Sequence, residues 1–326
     1  MHKKKCAVRT IVCACLLLAT APLHAQSAAR FPTKPIRIIV PYPAGGPTDM
    51  TARSISPRMI EALGQQMVID NRAGASTIIG TEIVARAPPD GHTLLLVTST
   101  ISMNPSVFRK LPYDVERDLV PVTQVIASPF ALLAHPALPV RSTGELVALI
   151  KARPGQLLYP SSGVGSANHL AVLLLSRLAR IEPMHVPYKG TAQGIADLVA
   201  GQVQFSLNNP LTSLSLANAG KLRLLATTGA KRLSLLPNVP IVSEAVPGYE
   251  AGNWHSLFAP GGTPKEIVAR LHAEVARALA APEVRNKLVE GGADPVGSSP
   301  EEFAAYFKSE LAKWAQTVKT ANLKFD

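Results

Sequence analysis

The sequence predicts an α/β protein of two lobes, each a mostly parallel sheet flanked by helices, with the polypeptide crossing between the lobes twice. Three observations carry this. The 326 residues exceed one ordinary core and suit two domains. From residue 35 onward β-branched runs alternate with helical patterns, the mark of βαβ units. The alternation stops near residue 119, restarts near 142, and gives way at 253 to a run of helices without strand partners, which must pack back on the first lobe. The expected division is a leader over 1–25, a first lobe of 26–130 plus 253–326, and a second lobe of 131–252.

The leader comes first. Lys3, Lys4, Lys5 and Arg9 form a positive head, an apolar run covers 11–19, and Leu23-His24-Ala25 resembles a cleavage site, so export with cleavage near Ala25 is expected. The apolar run is shorter than the ~20 residues a membrane span needs. All three cysteines (Cys6, Cys13, Cys15) lie in this leader, so the mature chain is expected to lack disulfides, zinc-thiolate sites and cysteine nucleophiles.

The first lobe then reads as a strand over 36–40, a helix over 48–63 capped by Thr48 or Asp49, a strand over 67–69, a helix over 77–87 and a strand over 93–97. Apolar stretches at 120–126 and 130–134 fit extended segments leaving that lobe. The second lobe reads as helix 142–152, strand 157–159, helix 166–178, strand 184–187, helix 191–200, and strands at 203–207 and 222–227. After an extended run at 254–259 come three helices with recognisable starts: Thr263-Pro264 as cap and first helical residue, Pro282-Glu283, and the capping box Ser299-Pro300-Glu301-Glu302. Phe303, Phe307, Leu311 and Trp314 recur at helical spacing as a core-facing stripe.

Composition narrows the function. The formal charge is +11, four positives of which belong to the leader, and the rest are scattered without a basic run. With 5% aromatics and no basic-aromatic cluster, nucleic acid is not an expected partner. No Gly-x-Ser-x-Gly elbow, Ser-x-x-Lys, phosphate loop or His-Glu-x-x-His occurs, and the mature histidines are widely spaced. No catalytic residue, metal or cofactor is expected. What stands out is where glycines and hydroxyls gather: in loops after strands and before helices, where open α/β sheets bind ligands and helix N-termini favour anions. These loops are the run from Pro41 to Asp49, the run from Asn71 to Thr77, Thr98-Ser99-Thr100, the run from Ser161 to His169, Tyr188-Lys189-Gly190-Thr191, and Asn208-Asn209-Pro210. Gly163 and Gly165 fit part of a dinucleotide pattern, but Asn168 stands where its third glycine belongs, so no nucleotide site is read.

Several runs in order carry a family resemblance: Tyr42-Pro43-Ala44-Gly45-Gly46-Pro47-Thr48-Asp49, Asn71-Arg72-Ala73-Gly74-Ala75, Pro89-Asp90-Gly91-His92-Thr93-Leu94-Leu95, Leu111-Pro112-Tyr113-Asp114, Ser161-Ser162-Gly163-Val164-Gly165-Ser166 and His185-Val186-Pro187-Tyr188-Lys189-Gly190. From about Phe31 to the C-terminus the chain resembles the periplasmic solute receptors of tripartite tricarboxylate transporters, the Bug receptor family. The resemblance implies a two-lobed periplasmic binding protein of type II-like fold, monomeric, closing on a small carboxylate: a di- or tricarboxylate or an aromatic acid. It implies membrane permease subunits or a sensor kinase as docking partners. One lobe would hold the acid through Tyr42, Ala44, Gly45, Thr48, Asp49, Thr98 and Ser99, the other through Ser162, Gly165, Ser166, His169 and Lys189. Two departures from the family pattern bear on specificity. Ser76 and Thr77 replace a glycine pair and add hydroxyls, and Asn208-Asn209 stand where an acidic residue is common, which disfavours an amino-acid ligand. The competing readings are an enzyme acting on a small carboxylate on a similar two-lobed fold, and a sensor-associated binding protein without a transport role.

Overall fold

The structure, a computed structural model, describes residues 31–321 other than 230, 231 and 234. The predicted leader, its cleavage point at Ala25 and the three cysteines lie outside the described residues.

The chain opens with β1 (Ile36–Val40), α1 (Pro47–Leu63), β2 (Met67–Asn71), α2 (Ile78–Ala85), β3 (Thr93–Thr98), α3 (Thr100–Val107) and β4 (Leu119–Pro129). It continues through β5 (Ala131–Ala134), α4 (Thr143–Ala152), β6 (Leu158–Ser161), α5 (Ala167–Ala179), β7 (Met184–Pro187), α6 (Thr191–Val199), β8 (Phe205–Asn208), α7 (Pro210–Asn218) and β9 (Arg223–Thr227). It returns with β10 (Gly252–Pro260), α8 (Lys265–Ala280), α9 (Pro282–Glu290), β11 (Asp294–Pro295) and α10 (Pro300–Ala321).

The first sheet has the order β11-β4-β10-β3-β1-β2. β1 pairs in parallel with β2 and β3, whereas β10 runs antiparallel to β3 and β4. In the second lobe β8-β5-β9 is antiparallel about β5, and β6 pairs in parallel with β7. The two pieces meet at Gln204, whose backbone N–H donates to the Leu158 carbonyl (3.0 Å) while its Oε1 accepts from the Leu158 N–H (2.9 Å). Both lobes are thus mixed sheets. Strands delivered by βα units run parallel, and β4, β5 and β10, which carry the chain between lobes, run against their neighbours.

Local chemistry sets the element ends. Ser299 Oγ accepts from the Glu302 N–H (3.2 Å) and Glu302 Oε2 accepts from the Ser299 N–H (2.9 Å), closing the predicted capping box of α10. Two other starts differ from expectation. α1 is capped by Gly46 with Pro47 as its first residue, rather than by Thr48 or Asp49. At α8 the cap is Pro264 itself, and the Thr263 hydroxyl donates to the Pro260 carbonyl (2.7 Å). The periodicity argument missed α3 and α7, both short and proline-bearing, with weak apolar patterning.

α10 packs on α3, β4 and α8 of the first lobe. Phe303 and Phe307 pack edge-on with Trp254 and Phe258 on the first sheet. Further along, Trp314 and Val318 enter a core that also holds Met103 and Val107 of α3 and Leu132, Leu170 and Phe205 of the second lobe. The buried Glu310 carboxylate accepts from the indole N–H groups of both Trp254 (3.2 Å) and Trp314 (3.3 Å).

Candidate ligand-binding cleft

The two lobes meet face to face at the carboxyl ends of the parallel strands. The Thr100 hydroxyl of α3 accepts from the Ala167 N–H at the start of α5 (3.2 Å), and the Ser76 hydroxyl donates to the Val164 carbonyl. Gly165 has φ +76°, and a Cβ there would stand 2.9 Å from Val107 Cγ1. A Cβ on Gly190 would stand 2.8 Å from Pro43 Cγ. These two glycines permit contact between lobes that any larger residue would hold apart.

Between the lobes lies a cavity lined by loops and helix starts of both. Among the described residues its wall includes no Asp, Glu, Lys or Arg side chain. Four helices begin at it: α1 at Gly46, Pro47 and Thr48, α3 at Thr100, α5 at Ala167 and Asn168, and α6 at Gly190, Thr191 and Ala192. None of the four has a side-chain hydrogen bond at its cap. The first N–H groups of α3 and α5 are met by the Thr98 and Thr100 hydroxyls, whereas the first turns of α1 and α6 have no such side-chain acceptor and turn their N–H groups and positive dipole ends toward whatever fills the space.

On the first lobe a chain of hydroxyls is polarised toward the cavity. Tyr42 OH lies 2.6 Å from Thr98 Oγ1, the Thr98 hydroxyl donates to Thr100 Oγ1 (3.0 Å), and the Thr100 N–H returns to Thr98 Oγ1 (3.3 Å). Burial raises the Tyr42 pKa, so the phenol keeps its proton. With Thr100 Oγ1 accepting from both Thr98 and Ala167, its own hydrogen is left to point at a ligand, strengthened by the donors behind it. Beside it the Ser99 hydroxyl donates to Asn253 Oδ1 (3.2 Å), which leaves the Asn253 amide hydrogens on the cavity side.

On the second lobe Asn168 Oδ1 accepts from the Ser162 N–H (3.3 Å), the Ser162 hydroxyl (3.1 Å) and the Ser166 hydroxyl (2.8 Å). A backbone N–H can only donate, so the oxygen is fixed there and the Asn168 amide hydrogens face away from the loop. Behind the loop His169 Nδ1 accepts from the Gly165 N–H (3.0 Å), and His169 stacks on His185 with centroids 3.9 Å apart. Burial lowers His169 to about 3 and His185 to about 4, so both rings are neutral at pH 7.

Of the residues singled out from sequence, Tyr42, Ala44, Thr48, Thr98 and Ser162 line the cavity. The others stand elsewhere. Asp49 sits behind the first loop, accepting from the Gly45 N–H (2.9 Å) and Arg53 (2.8 Å). Burial opposes its charge, but Arg53 and that N–H hold its pKa below the usual value. Ser99 supports Asn253, and Gly165, Ser166 and His169 shape the α5 loop. Ser76 and Lys189 line an outer groove with Val164 and Tyr188, which shares Tyr42, Thr100 and Ser162 with the cavity. The buried Asn208 amide donates to Ser206, and it is Asn209 that reaches the cavity wall. Sequence reasoning did not single out Thr100, Asn168, Asn253 and His255 as site residues. The alternation Asn253-Trp254-His255 was a usable signal: Trp254 enters the core, so its neighbours face the opposite side of the strand.

The sequence pattern of the tripartite tricarboxylate transporter family receptor matches residues 51–323. The chain belongs to this family. Among its relatives is a UPF0065 protein in the tcbD-tcbE intergenic region of Pseudomonas sp. (strain P51), 38% identical over 327 residues, covering 98% of this chain and 97% of the relative. Among solved structures, R. palustris Rpa4515 with adipate has a TM-score of 0.86 at 40% identity, covering 90% of this chain and 98% of that one. Periplasmic binding protein BugD has 0.86 at 32%, covering 90% and 100%. MatC (Rpa3494) from Rhodopseudomonas palustris with bound malate has 0.84 at 34%, covering 88% and 100%. The receptor thus has the fold of the two-lobed periplasmic binding proteins, in a family of solute receptors rather than enzymes.

Proposed function

We propose that this receptor captures a small organic carboxylate, a di- or tricarboxylate or an aromatic acid, between its lobes and releases it unchanged to a membrane permease or a sensor. The observation that carries the reading is the convergence of four helix N-termini, those of α1 and α6 without side-chain partners, on a cavity whose wall bears no charged side chain among the described residues. Such a wall solvates an anion with N–H and O–H donors and needs no buried cation. Relatives with adipate and malate bound support the same ligand class. The lobes in this reading are 26–130 plus 253–326 and 131–252, and the protein works in the periplasm after cleavage near Ala25. Ligand bridging both lobes shifts the open–closed balance toward the closed form that a partner recognises.

The test is a thermal-shift screen of the purified protein over mono-, di- and tricarboxylates and aromatic acids. One or a few acids should raise Tm, because they bind only the folded state. Mass spectrometry after prolonged incubation should return the acid intact. Chemical conversion of the acid would favour the enzyme reading, and a flat screen would end the proposal.

A further inference from the structure

His255 is fully buried on β10, opposite Thr98 in the sheet, and its ring stands in the cavity wall. Its Nδ1 lies 2.8 Å from Thr51 Oγ1. The Thr51 hydroxyl donates to the Pro47 carbonyl (3.0 Å), which can only accept. With the Thr51 hydrogen placed on that carbonyl, the histidine supplies the hydrogen between Nδ1 and Thr51. In that tautomer Nδ1 carries the proton and Nε2 a lone pair, and Nε2 has no hydrogen-bond partner among the described residues. Burial independently keeps the ring neutral, lowering its pKa to about 3.

A buried acceptor without a donor is costly, and the other polar groups described at this wall are placed to donate. The Thr100 hydroxyl, the amides of Asn168 and Asn253 and the first turns of α1 and α6 offer hydrogens, and in this tautomer His255 offers none. Asn253 and His255 lie two residues apart on one face of β10, about 7 Å along the strand. One small molecule can therefore meet a donor with its carboxylate and an acceptor with a nearby group. An ammonium group would bring an uncompensated charge into a wall without Asp or Glu, whereas a neutral hydroxyl brings only the hydrogen that Nε2 lacks.

Resting on the carboxylate-receptor reading, we infer that the captured acid carries a hydroxyl group that donates to His255 Nε2, so the receptor selects hydroxy acids over their deoxy counterparts. A site built to bond a substrate hydroxyl rejects the analogue lacking it far more strongly than an apolar pocket could, because the buried partner is left unmet.

The experiment is calorimetric titration of the full mature protein with matched pairs: malate and succinate, citrate and tricarballylate, 4-hydroxybenzoate and benzoate. In at least one pair the hydroxy acid should bind tenfold or more tightly than its partner. His255→Phe keeps a planar ring without the acceptor, and should bring the hydroxy acid to the level of the deoxy one. A readout that needs no variant is the 15N resonance of the unprotonated Nε2, which should shift upfield with the hydroxy acid and stay in place with the deoxy acid. Equal binding of both members of every pair that binds would overturn the inference and leave the receptor reading standing, with water meeting Nε2 in the complex. Failure of all the acids to bind would remove the receptor reading and this inference with it.

Discussion

Replacing Gly190 by alanine isolates lobe closure from ligand contact. Gly190 has an extended backbone (φ −179°) that any residue adopts, so the substitution adds no torsional strain. In the closed form its new Cβ would stand 2.8 Å from Pro43 Cγ and 3.0 Å from Pro43 Cδ, atoms of a ring with little freedom to move. Relieving such an overlap costs about 1–3 kcal/mol. Pro43 belongs to the opposite lobe, so the cost falls on the closed form alone. Affinity for whichever acid the screen identifies should fall about 5- to 150-fold. Loss of glycine at the α6 cap should cost the unliganded protein about 1 kcal/mol or less. Calorimetric titration measures the affinity, urea unfolding without ligand measures the stability, and small-angle scattering reports whether the liganded variant stays expanded. Gly252→Ala is the control, because a Cβ there meets nothing within 4 Å. Wild-type affinity in Gly190→Ala would refute the argument that ligand is held by this closure.

Two further expectations follow from the same cleft. Asn209 rather than Asn208 borders the cavity, so Asn209→Asp should confer measurable binding of an acidic amino acid by giving its ammonium a counter-charge. Asn208→Asp should confer none, since that side chain is turned onto Ser206; calorimetry with aspartate and glutamate distinguishes the two. The second concerns acid. His169, His185 and His255 have folded pKa values near 3, 4 and 3, below the 6.5 of a free histidine, so the unfolded chain takes up protons first as pH falls. Stability from these groups is complete above pH 7 and is lost from about pH 6.5 downward. The slope is about 1.4 kcal/mol per pH unit for each of the two most deeply buried rings, His169 and His255. His185 adds less because it is partly exposed. Urea midpoints at pH 7, 6 and 5 should decline in step, and a constant midpoint over that range would contradict the burial argument.

The architecture was legible because strands, helices and caps are local in sequence. The run 36–40, the capping box at Ser299 and the Phe303/Phe307 stripe each declared themselves. The loops of the cleft were legible for the same reason: glycines and hydroxyls cluster where a strand hands over to a helix. Which residue of a loop faces the ligand was not, because one step along the backbone reverses a side chain's direction. Ser99 and Thr100 are equivalent as composition, yet one props Asn253 and the other lines the cavity. Asn168 counted only as a failed glycine position, although its carbonyl gathers three donors and so aims its amide. Asn253 and His255 come from a strand that returns after the whole second lobe, and only the three-dimensional pairing of β10 with β3 brings them beside Thr98.

The helix α10 has a consequence for which half of the molecule carries the cavity's strongest hydroxyl donor. Phe303 and Phe307 seat its first half on the first sheet, Trp314 and Val318 join its second half to the core that holds Met103 and Val107 of α3, and Glu310 bonds Trp254 of β10 and Trp314 one turn along its own helix. α10 thus buttresses α3 against the first sheet, so the Thr100 hydroxyl travels with β3 and β10 whenever the second lobe swings.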